Sequence, residues 1–274
     1  MLTRVLSAVV LAPPLLYLIL MGTTFHLFLL MLPVSAGLLY EWQGFKGAVE
    51  KQTWLALVVF AWIFLWIGYT HLVYLALPFL LLFLFIMVAK SVLSYQPDRP
   101  VIALWSTAFT GLVYCTLPLV LLLEIQENWG GEMVFLPLLV IWATDSGAYF
   151  SGKFFGKKKL APSLSPGKTW VGFYGGCLSG VVAGLVCGHF FSTPFTPWQA
   201  IVVGLLLSLS GQLGDLAESL LKRESGIKDS GNLIPGHGGL LDRLDSLLFA
   251  TPVYYLLLVW IGETLTGGGE TLAG

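Results

Sequence analysis

Residues 102–123 read Ile102-Ala-Leu-Trp-Ser-Thr-Ala-Phe-Thr-Gly-Leu-Val-Tyr-Cys-Thr-Leu-Pro-Leu-Val-Leu-Leu-Leu123, an apolar run without a charged side chain that ends at Glu124. About 20 such residues cross the hydrocarbon of a bilayer as a helix. Similar windows lie near 5–21, 25–40, 54–68, 72–89, 133–150, 170–191, 198–216 and 246–262. The expectation is an all-α polytopic transmembrane bundle of about nine spans (eight to nine). The second and third spans rest on the least. The runs are continuous rather than alternating over about ten residues, which argues against a transmembrane β-barrel.

Composition agrees. The 274 residues are 57% hydrophobic and 11% charged, with a mean hydropathy of +0.84. Soluble domains carry roughly 25% charged residues, so lipid must cover what charge does not. Cys115, Cys177 and Cys187 lie in apolar runs without C-x-x-C spacing and read as small buried hydrophobes. Met1–Met21 continues past Thr24 without a small-residue cleavage site and reads as a retained first span.

Charge sets the orientation. With the N-terminus in the cytoplasm and sides alternating, Arg4, Lys46, Lys51, Lys90, Arg99, Lys153, Lys157, Lys158, Lys159, Lys168, Lys222, Arg223, Lys228 and Arg243 all fall inside. These are all 14 basic residues. Glu124, Glu127, Glu132, Glu263 and Glu270 stay outside, and His26, His71 and His189 read as scattered interfacial side chains near outer span ends. Residues 1–130 are expected to be a scaffold of about five spans. Residues 131–274 are expected to carry catalysis, with cytoplasmic loops at 151–169 and 217–245.

Those loops hold the ionisable groups, which are costly at membrane level and need a reason. In the first, Lys157–Lys159 satisfy the inside bias and attract anionic headgroups. In Ser165-Pro-Gly-Lys-Thr169, Pro166 and Gly167 are expected to turn, and Lys168 and Thr169 to start a helix whose free N–H groups and dipole favour an anion. The glycine spacing of a P-loop is absent. Asp145 either stops its helix or faces a polar cavity.

In the second loop, Asp215, Glu218, Ser219 and Lys222 share one helix face. That face is either a string of surface ion pairs or, because Asp215 follows an apolar run, a deeper polar site. Asp242 and Asp245 open the next span, where Asp245 could simply cap. Pro235-Gly-His-Gly-Gly239 is a glycine turn able to fold the two acidic ends together. Asp215 and Asp242 could then share one Mg²⁺, a hard ion suited to carboxylates and phosphates. Lys222, Arg223, Lys228 and Arg243 surround them. His237 is a turn residue or a phosphate donor, and nothing supports a covalent serine mechanism.

The run Ser219-Leu-Leu-Lys-Arg-Glu-Ser-Gly-Ile-Lys-Asp-Ser-Gly-Asn-Leu-Ile-Pro-Gly-His-Gly-Gly-Leu-Leu-Asp-Arg-Leu-Asp245 resembles, without departure, the signature of phosphatidate cytidylyltransferases, the CDP-diacylglycerol synthases. Asp145-Ser-Gly-Ala-Tyr149 and Ser165-Pro-Gly-Lys-Thr-Trp170 resemble the same family, although Val171 stands where many members carry an acidic or amide side chain. The likeness covers the C-terminal half. The first 130 residues match only in hydropathy.

The resemblance implies CTP + phosphatidic acid → CDP-diacylglycerol + pyrophosphate, within phospholipid biosynthesis. It also implies Mg²⁺, room for a second, monovalent cation such as K⁺, a homodimer, and a multi-pass protein of the inner (cytoplasmic) membrane whose site faces the cytoplasm. Membrane lipids are expected partners and nucleic acid is not. The expected metal residues are Asp215 and Asp242. Lys168, Ser219, Lys222, Arg223 and Arg243 are expected to contact phosphate during catalysis. Asp145, Ser165, Gly167, Thr169, Lys228, Asp229, His237, Gly238, Gly239 and Asp245 complete the substrate-binding set. The rival readings are a CTP-dependent lipid kinase and a transporter. The charges lie at one end of the C-terminal half without inverted symmetry, which disfavours the transporter.

Overall fold

The computed structural model describes residues 13–45, 51–93, 101–191, 193, 195–234 and 238–265. Residues 13–21 are helical (α1) and are followed by α2 (Thr24–Gly44), α3 (Lys51–Tyr69), α4 (Ala76–Leu93), α5 (Val101–Trp129) and α6 (Gly131–Phe155). A two-stranded antiparallel hairpin, β1 (Lys159–Ala161) and β2 (Ser165–Thr169), leads to α7 (Trp170–Phe190), α8 (Pro197–Glu224) and α9 (Leu241–Leu265). Eight of these helices are long and apolar enough to span a membrane. The second and third expected spans are among them. The first is seen only as α1, its remainder lying outside the described residues, as do Arg4, Lys46, Arg99 and His237.

Two boundaries differ from expectation. Ser165–Thr169 is a strand, not a turn running into a helix, because its backbone pairs with β1. The helix begins only at Trp170, where the Thr169 hydroxyl accepts from Gly172 N–H at 3.1 Å and caps it. The loop expected at 217–245 shrinks, because α8 continues to Glu224 and α9 starts at Leu241. Helices outrun their apolar windows when the last turns meet protein rather than lipid, and these last turns carry the charges.

In a bilayer, lipid is as apolar as leucine, so helices associate through close packing and shared hydrogen bonds rather than burial. The α6–α8 layer follows that rule. A Cβ at Gly147 would strike Ser179, one at Gly175 would strike Ser151, and one at Gly180 would strike Ser208, so α7 is drawn tightly against α6 and α8. Thr144 of α6 and Ser208 of α8 share a buried hydroxyl contact at 2.8 Å. The other layer packs α2, α3 and α5 together and meets α9. Leu112, Leu119 and Leu123 of α5 are fully buried in it. The α4 span has the highest mean hydropathy, 2.4, and only 11% of it is buried inside the chain.

The consequence is convergence at one end. The C-terminal ends of α2, α6 and α8 and the N-terminal ends of α7 and α9 meet there, bringing Glu41, Asp145, Lys168, Asp215, Lys222 and Asp242 to one region. His71, Glu124 and Glu127 lie at the other end of the bundle.

Candidate active site

A cleft of about 630 Å³ opens between α6, the hairpin, α7 and α8. Asp145, Tyr149, Lys153, Lys159, Gly167, Lys168, Thr169, Gln212 and Asp215 are on its walls. Asp145 therefore faces a polar cavity. Thr169 is buried, and a Cβ at Gly152 or Gly156 would press on its hydroxyl, so the hairpin sits directly on the end of α6. This seat aims Lys168 back at α8. Its Nζ lies 2.7 Å from Asp215 Oδ2, an ion pair whose angles fall outside hydrogen-bond geometry. Ser219, one turn along α8, donates to Asp215 Oδ1 at 3.4 Å. The Arg223 guanidinium donates through Nε to the Leu164 carbonyl at 3.1 Å and ties α8 to the hairpin.

A second group of contacts joins α8 to α9. Lys222 Nζ donates to Glu218 Oε2 at 2.6 Å and to Asp242 Oδ1 at 2.7 Å. The other Asp242 oxygen, Oδ2, accepts from Ser230 N–H and Gly239 N–H at 3.0 Å and lies 3.0 Å from Ser230 Oγ, whose one proton serves either Asp242 or Glu41. Gly238 has φ +84°, a left-handed conformation that lets the chain double back into α9. The two acidic helix ends thus meet through Lys222 and Gly239, while residues 235–237 of the expected glycine turn lie outside the described residues. Glu218 is 1% exposed, and among the described residues its second oxygen meets no hydrogen-bond donor. Asp245 is buried, with Asp215, Glu218 and Lys222 as its electrostatic neighbours.

Most of the expected residues are therefore brought together. Asp145, Gly167, Lys168, Thr169, Asp215 and Ser219 gather at the cleft, and Lys222, Gly239, Asp242 and Asp245 gather beside it. Ser165 lies at the start of β2. Arg243 is exposed on the first turn of α9. Lys228 and Asp229 are exposed on the segment after α8 and join neither group. Two buried carboxylates, and Tyr149, Lys153, Lys159 and Gln212 on the cleft wall, are absent from the expected set. Glu218 was placed on the right helix face but given no role, and it proves to be the most buried carboxylate of the site. Glu41, from α2, is 2% exposed and accepts from Leu240 N–H and Leu241 N–H, with Ser230 Oγ 3.1 Å from its Oε2. Its one signal was a carboxylate at the edge of an apolar run.

The donor set bears on a metal. Asp145, Asp215, Glu218, Asp242 and Asp245 supply oxygen donors of the kind a hard cation takes, interleaved with Lys153, Lys159, Lys168 and Lys222. Among the described residues no three His, Cys, Asp or Glu side chains converge closely enough to hold an ion alone.

The cytidylyltransferase family profile matches residues 2–261. Over 277 aligned positions the chain is 36% identical to the phosphatidate cytidylyltransferase of Haemophilus influenzae, covering 92% of this chain and 96% of that protein. It is 48% identical over 132 residues to that of Bacillus subtilis and 45% identical over 130 to that of Staphylococcus epidermidis. These two matches cover 48% and 47% of this chain and about half of each relative, 49% and 50%. With the helical bundle and its polar end in place, the match along nearly the whole chain leads to one conclusion: the chain belongs to the cytidylyltransferase family.

Proposed function

We propose that this protein is a phosphatidate cytidylyltransferase that converts CTP and phosphatidic acid to CDP-diacylglycerol and pyrophosphate. The observation that carries the reading is the pair of lysine–aspartate contacts, Lys168–Asp215 and Lys222–Asp242, set where helix ends meet beside an open cleft. Both lysines are held in place before any substrate arrives, and phosphate is what they can next engage.

The chemistry asks little of a base. A lipid phosphate monoester has a second pKa near 6 and is largely dianionic at neutral pH. One of its oxygens bonds to the α-phosphorus of CTP as the bond from that phosphorus to the β-phosphate oxygen breaks, and pyrophosphate leaves with the electron pair. The obstacle is repulsion between anions, so positioning and charge neutralisation should dominate. Lys168, on the cleft wall with Thr169 and the N-terminus of α7, would hold the triphosphate. Lys222, Arg223 and Arg243 add positive charge around the leaving group, and Ser219 offers a hydroxyl.

Mg²⁺ at Asp215 and Asp242 would neutralise phosphate charge and help align the reacting oxygens, with a monovalent cation such as K⁺ as a second ion. A homodimer in the inner membrane, with the site facing the cytoplasm and the acyl chains beside it in lipid, completes the reading. Purified protein given CTP, phosphatidic acid and Mg²⁺ should release pyrophosphate in step with CDP-diacylglycerol. The Asp242→Asn variant should insert and fold yet form no product, and near-wild-type turnover of that variant at saturating Mg²⁺ would sink the assignment of Asp242.

A further inference from the structure

We propose that Glu41, on α2 in the first half of the chain, is a positioning residue for Asp242. The first N–H groups of a helix have no partner within it and are usually met by a nearby Ser, Thr, Asp or Asn. The residues entering α9 are Gly238, Gly239 and Leu240, which offer no such side chain. Glu41 supplies the cap from 199 and 200 positions away, with Oε1 accepting from Leu240 N–H at 3.0 Å and Oε2 from Leu241 N–H at 2.8 Å. A carboxylate at that helix end also gains from the dipole.

The same carboxylate reaches Asp242 through one intermediary. Ser230 Oγ lies 3.1 Å from Glu41 Oε2 and 3.0 Å from Asp242 Oδ2, and Asp242 N–H points back at it at 3.3 Å. Glu41 and Asp242 thus grip one serine from opposite sides. Two glycines make this approach possible, because a Cβ at Gly231 or Gly239 would collide with the Glu41 carboxylate. The glycines of this loop therefore fit a partner on α2 as well as a turn. With Oδ2 held by the loop, Asp242 Oδ1 is left facing Lys222. The orientation of a site carboxylate in the second half thus depends on a buried side chain in the first.

The effect on turnover rests on the cytidylyltransferase reading, whereas the effect on the loop does not, so both are measured on the full-length protein in lipid nanodiscs. The near-isosteric Glu41→Gln places an amide N–H₂ against backbone N–H or the serine hydroxyl. Amide exchange at Leu240 and Leu241 should quicken by about tenfold or more, with the rest of the bundle still protected. In the same variant kcat should fall about 10- to 100-fold, as the loss of one or two bonds to a charged acceptor predicts. The Mg²⁺ concentration for half-maximal activity should rise, and the KM for CTP should stay within about twofold, since no CTP-binding side chain is altered. Protection lost evenly across the bundle, exchange unchanged at Leu240 and Leu241, or a kcat per folded molecule within about twofold of wild type would each overturn the proposal. Wild-type protein that makes no CDP-diacylglycerol would instead remove the functional reading and leave the exchange result to decide the role of Glu41.

Discussion

Replacing Lys222 with Met keeps the length and apolar stem of the side chain and removes its charge. Lys222 is 15% exposed, and its two partners, Glu218 and Asp242, are 1% and 13% exposed, so little solvent would step in. Removing one partner of a buried ion pair costs about 3–5 kcal/mol, because the remaining charge is left without compensation. The two carboxylates are not equally dependent on the lysine. Asp242 keeps two backbone donors on Oδ2, from Ser230 and Gly239, whereas among the described residues Lys222 is the one cation hydrogen-bonded to Glu218. Most of the cost should therefore fall on Glu218. Lys222→Met should lower unfolding free energy by about 3 kcal/mol, and adding Glu218→Gln should recover about 2 kcal/mol of it. Adding Asp242→Asn in place of Glu218→Gln should recover far less. Unfolding in mixed micelles, followed by circular dichroism against rising dodecyl sulfate, reads all four proteins. A loss below about 0.5 kcal/mol, or better rescue by Asp242→Asn, would refute this account of the pair.

Lys168→Ala should behave differently, since Lys168 and Asp215 are 25% and 38% exposed and such pairs contribute at most about 1 kcal/mol. Stability should barely change while product formation falls about 100-fold, by analogy with other lost phosphate-stabilising donors. Thr169→Ala should cost about 1 kcal/mol through the lost cap on α7 and should raise the KM for CTP as Lys168 loosens. Topology can be read by labelling. With the three native cysteines changed to Ser, Ser225→Cys should react with a membrane-impermeant maleimide only after the inner membrane is opened, and Thr70→Cys should react in intact spheroplasts. The reverse pattern would overturn the orientation.

The spans were legible because each needs only about 20 apolar residues in a row, and charge at the ends says where they stop. The second loop was legible because Asp215, Glu218, Ser219 and Lys222 repeat at helical spacing and a glycine turn separates them from Asp242. What stayed hidden depends on tertiary contact. Ser165–Thr169 forms a strand through pairing with Lys159–Ala161, which Pro166 and Gly167 do not advertise. Glu218 looks like a surface ion-pair residue until α9 covers it. Glu41 is a lone carboxylate in the sequence, and its partners at Ser230, Leu240 and Leu241 lie nearly 200 residues away. No local pattern encodes that distance.

The most direct test of the central claim follows the two ends of the nucleotide separately. Purified protein in phosphatidic acid vesicles should transfer label from α-³²P CTP into chloroform-soluble CDP-diacylglycerol, while label from γ-³²P CTP leaves as pyrophosphate. Lipid labelled by the γ-phosphate but not by the α-phosphate would contradict the account and identify a lipid kinase.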